Sequence, residues 1–358
     1  MTPPPGTPVQ QTPPEAAAKL TARVTLVTTP VTVRDAHGAM IHNLDREDFL
    51  VRDNGVDQQI THFEVGGDPL SVVVVVETSS RIDPLLPQIR KLGIVFTEQV
   101  LGPEGEAAVV GFDDTVARLV PFTRDHEAIQ AAFAGLRSGE SGRRLFDAMS
   151  EGVELLSGRR KPTRETPVPG RRVLLLISEA FDSGSETRLG EVLRRAQLEN
   201  VTIFSVGLST TRAELQAKPR DNAPVSATPP GIMGMPAPPG TVPTPSTTAN
   251  ASGVDLIALA QVLVEHTRSA ATQHSLEVGA AATGGACYST FKGRSIERAL
   301  DEIGGELHAQ YLISYSPPRS EDAQESGYHR ITVSLAADKA DGRKVSFRPG
   351  YYIPPPER

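Results

Sequence analysis

Residues 72–76 are five consecutive valines, and the run is followed by Glu77, Thr78, Ser79, Ser80 and Arg81. A strand that is apolar at every position must be covered on both faces, which is typical of a central parallel strand in an α/β sheet. Ligands of such sheets bind at the carboxyl ends of the strands. Hydroxyls beside a carboxylate are oxygen donors of the kind that Mg²⁺ prefers. The sequence therefore predicts a site in segment 77–81 and raises the question whether it holds a metal.

Strand and helix patterns alternate on either side of a second wholly apolar run, residues 173–177, which is followed by Ser178 and Glu179. The patterns predict further strands at 106–112, 116–122 and 201–206, and helices at about 83–101, 125–136, 144–156 and 185–199. In the first of these helices we expect burial of Leu86, Ile89, Leu92, Ile94 and Phe96. The fold class predicted is a doubly wound, mostly parallel α/β sheet, with segment 116–122 as an antiparallel edge strand.

Two flanking regions have strand patterns of their own. Strands are predicted within residues 23–35, at 49–53 and 58–65 around a tight turn at 53–55, and at 311–315, 328–335 and 344–352. We predict that these regions pair into one small β-sandwich in which the α/β domain is inserted. The expected division is a disordered Pro-rich leader (1–19), an N-terminal sandwich segment (20–66), the α/β domain (67–309) with a disordered Pro-rich insertion (212–251), a C-terminal sandwich segment (310–353) and a tail (354–358).

Composition and motifs argue against several classes of protein. Lys and Arg total 36 against 43 Asp and Glu, and the net charge of -7 disfavours nucleic-acid binding, which needs a basic face. No run approaches the roughly 18 apolar residues of a membrane span. The one cysteine, Cys287, excludes an internal disulfide framework, and we expect it to be buried rather than reactive. Hydrolase and nucleotide-binding motifs are absent from the sequence, which gives little support to an enzyme.

Several segments in order along the chain resemble one known family. They are residues 31–38 (VTVRDAHG), 44–49 (LDREDF), 53–55 (DNG), 282–285 (ATGG), 310–315 (QYLISY) and 348–352 (RPGYY). Together with the two apolar strands that end in acids and hydroxyls, they resemble the von Willebrand factor A fold, and more narrowly the bacterial von Willebrand factor A-related proteins abundant in Acidobacteria. The resemblance covers nearly the whole chain except the leader and the Pro-rich insertion.

The resemblance implies a metal-ion-dependent adhesion site. In A domains its ligands come from an Asp-x-Ser-x-Ser stretch after the first strand, a Thr before a helix and an Asp after a later strand, and the cation leaves one position open for a partner's carboxylate. In this chain the corresponding positions are Glu77, Ser79 and Arg81, then Arg143 within residues 141–147 (SGRRLFD), then Glu179. Only Ser79 keeps the family's residue type.

The two arginines at these positions disfavour a bound cation. A divalent ion about 5 Å from one guanidinium, at an effective dielectric of 20, is repelled by roughly 6 to 7 kcal/mol. We therefore expect no cofactor, with Mg²⁺ disfavoured, and expect Arg81 and Arg143 to pair with Glu77 and Glu179. Two alternatives stay open: that Arg81, Arg143 or Arg144 is exposed and binds a partner's carboxylate directly, or that a weakened metal site survives.

The resulting prediction is a non-enzymatic protein-protein interaction module of adhesion or scaffold type, which binds a protein ligand at a degenerate adhesion site. One alternative is a hydrolase that uses Glu77 or Glu179, although neighbouring arginines lower a carboxyl pKa where an acid catalyst needs it raised. Another is a structural domain whose site has decayed. The resemblance implies an extracytoplasmic or secreted protein, and the sequence leaves the oligomeric state open.

Overall fold

The computed structural model describes residues 26–66, 69–159, 170–209, 274–290, 295–317 and 327–353. The predicted leader, Pro-rich insertion and tail lie outside these described residues, and the domain boundaries proposed from sequence remain predictions. Within the described ranges, none of the helices combines the length and the apolar character needed to cross a membrane.

The described strands, in chain order, are β1 (Val27–Arg34), β2 (Phe49–Asp53), β3 (Val56–Gln58), β4 (Ile60–Val65), β5 (Ser71–Glu77), β6 (Glu106–Phe112), β7 (Val116–Thr123), β8 (Arg172–Ser178), β9 (Val201–Gly207), β10 (Cys287–Ser289), β11 (Tyr311–Tyr315), β12 (Gly327–Leu335), β13 (Lys344–Phe347) and β14 (Gly350–Ile353). The described α-helices are α1 (Leu86–Ile89), α2 (Leu92–Val95), α3 (His126–Ala134), α4 (Leu145–Ser157), α5 (Leu189–Leu198), α6 (Ser275–Thr283) and α7 (Ile296–Ala309).

Six strands form the central sheet, in the order β10-β9-β8-β5-β6-β7. All neighbours are parallel except β7, which runs antiparallel to β6 at the edge. The valine strand β5 lies between β8 and β6, and all seven of its residues are buried. Helices α1, α2, α3 and α7 cover one face, and α4, α5 and α6 cover the other. The predicted fold class, a doubly wound, mostly parallel α/β sheet with an antiparallel edge strand, is confirmed.

Helix ends in this unit follow from short polar residues and glycine. The side chain of Asp125 accepts hydrogen bonds from the backbone N–H groups of Glu127 and Ala128, which starts α3. Ser295 does the same for α7 through the N–H of Arg298. Helix α6 ends at Gly284, whose φ of 80° lies in the left-handed region that glycine adopts without a steric penalty.

Two further sheets, both antiparallel, form a β-sandwich from the flanking regions. Their strand orders are β13-β1-β11-β4 and β14-β12-β2-β3. Strand β1, from early in the chain, lies between β11 and β13 from late in the chain, and β2 likewise pairs with β12. Val31, Phe49, Tyr311 and Ile331 are among the buried residues of the core between the sheets. The two ends of the described chain are therefore joined in one sandwich.

The predicted helix at 83–101 was wrong in its detail. A 3₁₀ turn, Ser80–Ile82, is followed by α1 and α2, and the segment Phe96–Leu101 is π-helical. Pro84 and Pro87 lack the N–H groups that a continuous helix needs in this stretch. Ile94 was predicted to be buried, but it is 54% exposed because it lies two residues, or about 200°, from the buried Leu92 and Phe96.

The predicted strand at 344–352 is two strands in different sheets. Strand β13 pairs with β1, whereas β14 pairs with β12 in the facing sheet. Arg348 and Pro349 lie between them, and proline cannot donate to a strand ladder. Cys287, in β10, is partly buried, and desolvation raises its pKa to about 12, so the thiol is protonated at neutral pH.

Candidate functional site

The residues predicted to form the site come together at the carboxyl edge of the central sheet. Strands β5 and β8 are parallel neighbours, with Val76 opposite Ile177, so Glu77 and Glu179 emerge side by side. Arg143 lies in the loop before α4, where its backbone exchanges hydrogen bonds with Ser183 in the loop after β8. The sheet and this backbone bridge therefore fix the three predicted segments against one another.

Glu77 is fully buried and its carboxylate is held by neutral donors. The hydroxyl of Ser79 donates to Oε1 at 2.6 Å, and the hydroxyl of Ser178 and the backbone N–H of Glu179 each donate to Oε2 at 2.8 Å. Desolvation by burial raises the pKa of Glu77, although these three hydrogen bonds oppose the shift. The predicted ion pair between Glu77 and an arginine is not found among the described residues, because short hydroxyls beneath the loop already satisfy the carboxylate.

Both arginines form ion pairs with Glu179 instead. Its Oε2 atom lies 3.5 Å from Nε of Arg81 and 3.6 Å from Nη1 of Arg143. The two guanidiniums approach from different loops, one after β5 and the other before α4. A single buried carboxylate thus compensates two positive charges, and neither ion pair is short.

The environment of Arg143 is unusual for a guanidinium. Its side chain is only 14% exposed, and its Nε and Nη1 atoms have no hydrogen-bond partner among the described residues. The guanidinium carbon lies 5.4 Å from the centre of the Phe181 ring, within the range of a cation–π interaction. Arg143 therefore underlies the surface of the site.

Arg81 contacts Glu179 and Phe181 contacts Arg143, and we call these two outer residues the Arg81–Phe181 patch. The side chain of Arg81 is 51% exposed, and Phe181 is 45% exposed. The terminal nitrogens of Arg81 have no hydrogen-bond partner within the described part of the chain. Arg144, the third candidate, points elsewhere: its guanidinium lies 3.4 Å from Asp147 and 3.5 Å from Glu186. Of the three arginines, Arg81 has the most exposed side chain, and its contact with Glu179 uses only Nε.

Sequence reasoning missed the residues that fasten the loop after β8 to α4. Asp182 Oδ1 and Ser185 Oγ both accept from the backbone N–H of Phe146 at 3.1 Å. Asp147 in turn accepts from the backbone N–H of Thr187 at 2.9 Å. The predicted helix at 185–199 accordingly starts only at α5, since these residues are used to cap α4. Asp and Ser are typical cap residues, but only the fold shows that they cap another segment's helix.

The residues present do not fit the divalent cation that the fold family implies. The hydroxyl of Ser79 is committed to Glu77, and the carboxylate of Glu179 faces two guanidiniums. In the described ranges, no cluster of three or more His, Cys, Asp or Glu side chains could hold a metal ion. Mg²⁺ needs near-octahedral oxygens at about 2.0 to 2.1 Å, and positive charge beside those oxygens opposes its binding.

Comparison with known proteins shows only distant structural likeness. No family model matches the sequence, and no curated protein matches it. Conserved hypothetical protein BatB from Bacteroides thetaiotaomicron is 11% identical, with 66% of this chain and 98% of that chain covered and a TM-score of 0.37. The SpRpn10 VWA domain is 12% identical, with 64% of this chain and 92% of that chain covered and a TM-score of 0.36. The vWF domain of the type V pili tip protein Mfa5 from Porphyromonas gingivalis is 15% identical. The match covers 33% of this chain and 40% of that chain, with a TM-score of 0.26.

These similarities are too distant to support a function. The doubly wound α/β architecture of the central unit follows from its own strand order, its antiparallel edge strand and its two helix layers.

Proposed function

We propose that this protein is a non-enzymatic protein-interaction module that recognises an acidic side chain of its partner through the Arg81–Phe181 patch, without a metal ion. The observation that carries the proposal is the half-exposed guanidinium of Arg81, which is held by a single contact of 3.5 Å to Glu179. That contact uses Nε, so the two terminal nitrogens are available to a carboxylate.

An arginine can take over the role that a cation has in related folds. Its planar guanidinium binds a carboxylate through two parallel hydrogen bonds, which gives direction as well as charge. An exposed aromatic ring beside it adds apolar contact area, and arginine and aromatic residues are enriched among the residues that dominate protein interfaces. Glu179 and Arg143 beneath the patch limit the orientations open to Arg81 and Phe181.

The hydrolase alternative finds less support in the geometry. Glu77 has the raised pKa that an acid catalyst needs, but its carboxylate is fully buried and its oxygens are occupied by three donors. Glu179 lies between two guanidiniums. Neither carboxylate is placed to reach a substrate.

The alternative of a decayed structural domain predicts that both arginines are consumed by internal pairs. Arg143 meets this expectation, since it is largely buried beside Glu179. Arg81 does not, and the neighbouring Phe181 leaves apolar surface exposed at the same place. We also propose an extracytoplasmic or secreted location, in keeping with the family resemblance.

The test is binding of the full chain to immobilised peptides that each carry one Asp or Glu among neutral residues, with Asn or Gln in the matched peptides. We expect acid-dependent binding that persists in EDTA and weakens at least about tenfold in Arg81→Gln. The matched control is Arg124→Gln, which removes an exposed arginine that follows β7, at the opposite edge of the sheet. Equal binding of acid and amide peptides, or equal effects of the two variants, would contradict the proposal.

A further inference from the structure

A second cluster of arginines surrounds a small cavity at the other edge of the central sheet. The cavity has a volume of about 30 Å³ and lies where the first residues of β8 and β9 meet the β-sandwich. Three arginines line it, Arg171, Arg172 and Arg348, together with Thr28, Pro30 and Leu312 from the sandwich. The cavity therefore lies at the junction of the two folded units.

All three arginines are deeply buried, with exposures of 7% for Arg171, 5% for Arg172 and 3% for Arg348. A buried charge is costly unless it is paired or fully hydrogen-bonded. Desolvation by burial lowers the pKa of Arg172, and it lowers the pKa of Arg348 to about 10. The junction thus holds concentrated positive charge out of contact with water.

The partners of Arg348 are neutral. Its Nε donates to the carbonyl of Gly350 at 2.7 Å, Nη1 to Oδ1 of Asn200 at 2.7 Å and Nη2 to the carbonyl of Gln197 at 2.6 Å. These bonds satisfy three donors of the guanidinium, and none of the three acceptors carries a negative charge.

Arg172 is satisfied only in part. Its Nη1 lies 3.5 Å from the carbonyl of Ser157 and 3.5 Å from Oε2 of Glu199. Its Nε is buried and has no hydrogen-bond partner among the described residues. For Arg172 and Arg348 together, the described residues supply one carboxylate, and its side chain is one-third exposed.

From the buried positive charge, the unpartnered Nε and the cavity beside them, we infer that this junction binds a small inorganic anion of about the size of chloride. The volume suits such an ion, since about 10 to 15 Å³ admits one water molecule. Bound chloride accepts from Arg172 Nε, offsets the charge of Arg348 and ties the sandwich to the α/β unit.

The test replaces chloride by bromide and by gluconate. We expect crystals of the full chain grown in bromide to show an anomalous peak in the cavity, within hydrogen-bond distance of Arg172 Nε. We also expect the melting temperature to be roughly 2 °C higher in 150 mM chloride than in 150 mM gluconate, because an ion that binds only the folded state stabilises it. The difference should vanish in Arg172→Gln and persist in the control Arg124→Gln.

The bromide crystal and the melting comparison on the unmodified protein test the inference even if Arg172→Gln does not fold. Absence of a bromide peak from the cavity together with equal melting in chloride and gluconate would overturn the inference. A chloride effect of the same size in Arg172→Gln would also overturn it, because the ion would then bind elsewhere.

Discussion

Arg143, in the loop before α4, and Glu179, in the loop after β8, lie with Nη1 and Oε2 3.6 Å apart beneath the surface of the site. The same carboxylate oxygen also faces Arg81 at 3.5 Å. In the von Willebrand factor A domains that the sequence resembles, the corresponding positions are two hydroxyls and an aspartate that share a cation. In this chain both guanidiniums pair with Glu179, and we propose that they take the place of such a cation.

Removing both guanidiniums should make the site more receptive to magnesium. We expect Arg81→Ser with Arg143→Thr to gain a melting-temperature increase in 10 mM MgCl₂, measured against NaCl of equal chloride concentration, because about 6 kcal/mol of repulsion per arginine is removed. The control pair Arg124→Ser with Arg330→Ser changes exposed arginines elsewhere. A magnesium effect equally small in both double variants would speak against the electrostatic explanation.

Glu77 should make stability depend on pH. Because burial raises its pKa in the folded protein, the folded state binds this proton more tightly than the unfolded chain does. The free energy of unfolding should therefore fall as pH rises from the ordinary value of 4.5 through the raised pKa. Glu77→Gln should flatten that slope in urea titrations at a series of pH values.

The reference for the Glu77 experiment is Glu104→Gln, which removes an exposed carboxyl group after α2. A slope that is unchanged in Glu77→Gln would show that burial does not govern this carboxyl group.

Gly284 joins α6 to the sandwich in a way that excludes a side chain. Its φ is +80°, and a Cβ would lie 2.7 Å from the backbone nitrogen of Arg348. We expect Gly284→Ala to lower the free energy of unfolding by at least about 1 to 2 kcal/mol. Gly158→Ala is the matched control, since Gly158 also ends a helix but has negative φ and open space around it. Similar losses in both would contradict the steric explanation.

The buried carboxylate of Asp53 links the two sheets of the sandwich. It accepts hydrogen bonds from the hydroxyls of Tyr315 at 3.0 Å and Tyr351 at 2.8 Å. We expect Tyr351→Phe to cost about 1.5 to 3 kcal/mol in denaturant unfolding, because a hydrogen bond to a charged acceptor is lost. Tyr352→Phe, at the next position, should cost much less, since the Tyr352 ring packs on Arg194 and its hydroxyl has no partner among the described residues.

The sequence predicted most of the α/β unit because its strands are apolar at every position. The five valines before Glu77 and the run before Ser178 have no polar residue that could face water, so both must be central strands. The same logic placed Glu77 and Glu179 together, since parallel strands end at one edge. Which glutamate the arginines would reach could not be predicted, because it depends on side-chain directions in loops.

Other features depended on contacts between distant segments. Phe181 and Asp182 follow β8 in a loop without periodicity, and only the fold shows that one packs against Arg143 and the other caps α4. The change of sheet at Pro349 was predictable to some extent, since proline interrupts a strand ladder. Which sheet each strand joins could not be predicted, because β13 and β14 have similar alternation of apolar and polar residues but pair with different strands.

The central claim is that positive side chains replace the divalent ion at the adhesion-site positions. Isothermal titration calorimetry of the unmodified full chain with Mg²⁺ and with Mn²⁺ tests it most directly. The account predicts no saturable heat up to about 10 mM of either ion, since the two guanidiniums repel a divalent cation at this site. Saturable one-to-one binding at millimolar or lower concentration, lost in Ser79→Ala and in Glu179→Gln, would contradict it.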